Sequence, residues 1–100
     1  MTTPAFTPLT LDDIKAFIEA HPDGHWLTGD SCNCPVAIAY ESKGIKVRVA
    51  TGHILDKSGN TSLAVHTTDI KEFIDLVDTY SGSVNAQECL SIIKQIQEET

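Results

Sequence analysis

The sequence predicts an α+β fold, a small, mostly antiparallel sheet of three to four strands covered by about four helices. Three observations carry the prediction. Apolar residues recur at i, i+3, i+4 spacing near the start of the chain and twice near its end, the mark of helices with one buried face. Ile45, Val47 and Val49 alternate with Lys46 and Arg48, the mark of a strand with one wet face. The turn-rich tetrad Lys57-Ser58-Gly59-Asn60 separates two short apolar runs, as a hairpin loop does. With no repeat and no long linker, one domain is expected over residues 10–100, preceded by a loose arm at 1–9.

Each element has a local reason. Thr10 stands where a helix N-cap is needed, with Asp13 in the capping-box position, Asp replacing the usual Glu. Leu11, Ile14, Phe17 and Ile18 form that helix's apolar stripe, and His21-Pro22-Asp23-Gly24 ends it. His25 to Thr28 reads as a short strand. Cys34 to Ser42 reads as the most buried helix, with Pro35 at the first helical position, where a missing N–H costs nothing, and Gly44 as its stop. His53–Asp56 and Ser62–His66 are the hairpin arms. Thr67 or Thr68 opens a helix through Tyr80, with Ile70, Phe73, Ile74 and Val77 as its stripe, and Ser81-Gly82-Ser83 is the loop that follows. Asn85 with Glu88 is a capping box for a last helix, whose stripe is Cys89, Leu90, Ile93 and Ile96.

Charge narrows the classes of partner. Fourteen acidic residues against seven basic ones leave a net charge of −7, which repels phosphate backbones and anionic lipid. No nucleic-acid or membrane partner is expected, and no apolar run approaches bilayer length. Asp69, Glu72, Asp75, Asp78, Glu88, Glu98 and Glu99 face only Lys71 and Lys94 in the last third of the chain. Lys43, Lys46, Arg48 and Lys57 reverse that balance in the middle. Such asymmetry marks either complementary docking surfaces or a merely solvated exterior. Three cysteines, an odd number at low density, and a start without a signal-like segment point to a cytoplasmic protein.

The stretch Gly29-Asp30-Ser31-Cys32-Asn33-Cys34-Pro35-Val36-Ala37-Ile38-Ala39-Tyr40 resembles a G-D-x-x-x-C-P-L-A-x-x-L pattern of small uncharacterised bacterial proteins. Val36 and Tyr40 depart from that pattern's leucines. The resemblance extends in element order over residues 25–95 and implies a fold of this kind, with no activity attached.

Cys34 is the sharpest candidate for chemistry. A cysteine at the N-cap of a helix faces unpaired N–H groups, which favour thiolate, and Cys32 is the candidate resolving thiol. The plainer alternative is a small buried residue packing a loop. His25 and Asp30 are the further candidate binding residues that could approach it in space. Cys32 and Cys34 with a histidine could hold zinc, but the second closely spaced ligand pair of such sites is missing, so no metal and no cofactor is expected. No phosphate-binding loop, nucleophile elbow or H-E-x-x-H motif occurs. The expected function is therefore a non-catalytic binding or regulatory module acting through protein–protein contact, with a partner or as a homodimer. Its candidate surfaces are Lys46 and Arg48 and the acidic C-terminal helices. The alternative is a redox or nucleophilic site at Cys34.

Overall fold

The computed structural model describes residues 8–29, 32–50 and 52–99. In chain order the elements are α1 (Leu11–Glu19), β1 (His25–Leu27), α2 (Pro35–Glu41), β2 (Val47–Val49), β3 (His53–Asp56), β4 (Ser62–Val65), α3 (Thr68–Val77), β5 (Ser83–Asn85) and α4 (Ala86–Glu98). This is an α+β fold with four helices, and every strand pairing is antiparallel. The strands are divided between two sheets. One has the order β2-β3-β4; the other is the pair β1-β5. Val84, between the loop at Gly82 and the cap at Asn85, is the buried residue of β5, a strand too short to leave a period in the sequence.

Both capping boxes form. Thr10 Oγ1 accepts from Asp13 N–H while the Asp13 carboxylate accepts from Thr10 N–H, so the shorter Asp side chain reaches as Glu would. Asn85 and Glu88 exchange the same pair of bonds at the start of α4. At α3 the N-cap is Thr67, but its hydroxyl donates to the Asp69 carboxylate and leaves the helix uncapped by a side chain. That helix ends at Val77, short of Tyr80.

The core lies where α4 packs on α1 and α3, and where α2 packs on α1 and β2. Ile14, Ile18, Phe73, Cys89 and Ile93 have no exposed surface. In α4 the buried stripe takes Ile92, with Leu90 only partly covered. The arm expected at 1–9 ends earlier than its last residue: Leu9 packs against the core and its N–H donates to the buried Tyr40 hydroxyl at 2.8 Å. The rest of that arm, residues 1–7, lies outside the described residues. No helix among the described residues is long and apolar enough to cross a membrane.

Candidate functional site

The Cys-Pro segment folds as its local chemistry requires. Pro35 occupies the first turn of α2 and Cys34 is the N-cap, in extended conformation, with a side chain that does not cap the helix. Cys34 is buried and Cys32 is exposed, and both carry thiols rather than disulfide sulfurs. Cys34 lines a cavity of about 250 Å³. One wall is the start of α2, with Pro35 and Val36; a second is the end of β2, with Val49 and Ala50; the third is Phe73, Ile74 and Val77 of α3. Its single described carboxylate is Asp78, whose Oδ1 accepts from Gly29 N–H at 3.2 Å. Beside it the Thr28 hydroxyl donates to Tyr80 O at 2.8 Å, so the chain leaving β1 is tied to the end of α3.

That geometry bears on thiol chemistry. A cysteine is activated by a helix N-terminus, a nearby cation or an adjacent base. Among the described lining residues there is no histidine, lysine or arginine. His25 lies elsewhere, exposed on β1, and Asp30 falls outside the described residues. The third cysteine, Cys89, is fully buried in α4, and burial pushes its thiol up to about 12. Among the described residues no group of three or more His, Cys, Asp or Glu side chains is placed to hold a metal ion.

The basic pair behaves unequally. Lys46 is exposed just before β2. Arg48 is exposed on β2, but its Nε donates to Lys57 O at 2.9 Å and its side chain lies over Gly59, so it straps β2 to the hairpin loop. The same loop is organised by Asp56, whose Oδ1 accepts from the Ser58 hydroxyl at 2.7 Å and from Asn60 N–H at 3.1 Å; these bonds, the Ser58 hydroxyl foremost, hold that carboxyl below its usual range. On the acidic side, Glu72 of α3 meets Glu99 past the end of α4. A hydrogen bond from one carboxyl to the other pushes Glu72 above its usual range.

Two further features stand out. His66, the last residue of the predicted second hairpin arm, is buried, and the residue opposite His53 in the ladder is Val65. The His66 Nε2 is 3.0 Å from Ala50 O and its Nδ1 has no hydrogen-bond partner among the described residues; desolvation holds the His66 pKa below the ordinary histidine value. The second feature is a groove. Trp26 and Ile38 both line two adjoining depressions of about 350 and 290 Å³. Phe17, His21, Gly24, Glu41 and Ser42 complete the first; His25, Leu27 and Asn33 complete the second. The Phe17 ring stands 4.6 Å from His21 and 5.8 Å from Trp26, centroid to centroid. A Cβ on Gly24 would come within 2.6 Å of the Trp26 ring, so the benzo edge of the indole lies against this glycine. Leu27 is 48% exposed at the groove's edge. The signal available in the sequence was the cluster Phe17, His21, Trp26 and Leu27, which a short strand and a helix end bring together only in three dimensions.

The fold and this groove define a small α+β domain with a concave, partly apolar surface between a strand and two helices. No family model matches the chain, and searches of the curated proteins and of the solved structures return no significant match.

Proposed function

We propose that this protein is a non-catalytic binding module that works through protein–protein contact. The observation that supports it is the half-exposed Leu27 on β1, beside a groove floored by Trp26 and Ile38. A large apolar side chain left in water at the rim of an aromatic-lined depression suits a surface that is covered by a partner. Lys46, exposed and without the strap that engages Arg48, offers a peripheral charge that would tune association rate rather than affinity. The test is photo-crosslinking in cells, with benzoylphenylalanine at position 27 and, as control, at position 94 on the exposed face of α4. A discrete protein adduct or a covalent dimer is expected at 27 and not at 94. Absence of any protein adduct at 27 would sink the reading.

The second reading is thiol chemistry at Cys34, favoured by its place at the N-cap of α2 on the wall of a cavity. Its test is the iodoacetamide rate of Cys34 against pH. A rate midpoint near that of an ordinary free thiol removes this reading.

A further inference from the structure

We infer that the groove beside β1 receives an extended peptide segment of a partner protein, which adds to β1 as a further strand and brings an apolar side chain flanked by lysine or arginine. The inference rests on the binding-module reading and names its occupant.

The main chain of β1 supplies the first argument. β1 pairs with β5 in the register His25↔Asn85, Trp26↔Val84 and Leu27↔Ser83. Ala86 N–H donates to Gly24 O and Thr28 N–H to Gly82 O. Those bonds assign the hydrogen-bonded positions to Gly24, Trp26 and Thr28. By the alternation of an antiparallel ladder, the N–H and C=O groups of His25 and Leu27 point away from β5. No other described strand pairs with that edge. Such a row of donors and acceptors is complementary to one thing, another extended backbone.

The groove supplies the second. The described lining of the two depressions mixes apolar and aromatic side chains with the polar His21, His25, Asn33 and Ser42; its one carboxylate is Glu41, and it holds no lysine or arginine. An apolar residue of the incoming strand fits against Trp26 and Ile38, and a cationic neighbour answers Glu41. A second copy of this chain answers it poorly. Its β1, His25-Trp26-Leu27, carries no lysine or arginine, and the chain as a whole has a net charge of −7.

The experiment selects a displayed library of random decapeptides on the full chain and measures the enriched sequences as synthetic peptides. Enrichment of alternating apolar residues with a nearby lysine or arginine is expected. Bound peptide should slow amide exchange at His25 and Leu27 in the unmodified protein. Leu27→Pro removes one outward N–H and leaves the β1-β5 ladder intact. It should weaken binding about tenfold beyond the effect of Leu27→Ala, which removes only side-chain contact. Glu41→Gln should erase the preference for the basic residue. Enriched peptides that leave the His25 and Leu27 amides exchanging freely would overturn strand addition and leave the module reading standing. A covalent dimer at position 27 with no peptide selected would replace the peptide by a second copy. No selected peptide and no adduct at position 27 would remove the inference and the reading together.

Discussion

The helical body and the three-stranded sheet are built on different physical terms. Where α1, α3 and α4 meet, Ile14, Ile18, Phe73 and Ile93 are wholly excluded from water. In the sheet the coverage thins from β2, with Val47 and Val49 buried, through β3, where Ile54 alone is buried, to β4, where no residue is. Val65 at the far edge is 67% exposed. Burial of apolar area therefore accounts for the helices. The sheet adds to its thinner apolar face a set of hydrogen bonds: the Asp56 loop, the Arg48 strap and the His66 contact to Ala50. The lesson is that the two regions should fail under different perturbations, the first to cavities and the second to polar and pH changes.

Substitutions can break or sharpen that contrast. Phe73→Ala, in the helical body, should cost about 3–5 kcal/mol in urea denaturation, the loss expected for an aromatic side chain removed from a close-packed core. A loss below about 1 kcal/mol would mean that the helices are not packed as described.

His66 should make the sheet sensitive to mild acid. Its folded pKa is lowered by burial, so the unfolded chain takes up the proton first. The contribution is therefore complete above the unfolded value of about 6.5 and is lost as pH falls through the folded value, with a slope of at most about 1.4 kcal/mol per pH unit. Stability curves of the native chain and of His66→Gln, measured between pH 8 and pH 4, should differ in slope on that limb. Parallel curves would show that His66 is not desolvated.

Asn85→Ala removes the cap of α4 and should cost about 1 kcal/mol, while Asn85→Ser restores most of it. Thermal melts of the two variants separate this local effect from general damage. At the small end, Val65→Thr on the exposed edge should shift stability by less than about 0.5 kcal/mol. A larger loss would mean that the outer strand is covered by something beyond this chain.

Much of the fold was legible because it is local. The Thr10-Asp13 and Asn85-Glu88 boxes, the Pro35 start of α2 and the stripes of α1 and α3 each need only a few neighbouring residues to be read. The site was less legible. The sequence directed attention to Cys34 and to its neighbours His25 and Asp30. In three dimensions Cys34 shares its cavity with Asp78, nearly half a chain away, while His25 belongs to the groove. β5 escaped because a three-residue strand has no periodicity of its own.

The sequence by itself determined which segments are helical, where three of them start, and that the chain is acidic, because propensity, capping and charge are properties of short stretches. Only the tertiary structure decided that the strands divide between two sheets, that His66 is buried and that β1 pairs with β5 alone among the described strands. Each of these depends on which distant segment comes to lie alongside, and that is set by the joint burial of apolar faces rather than by any local preference.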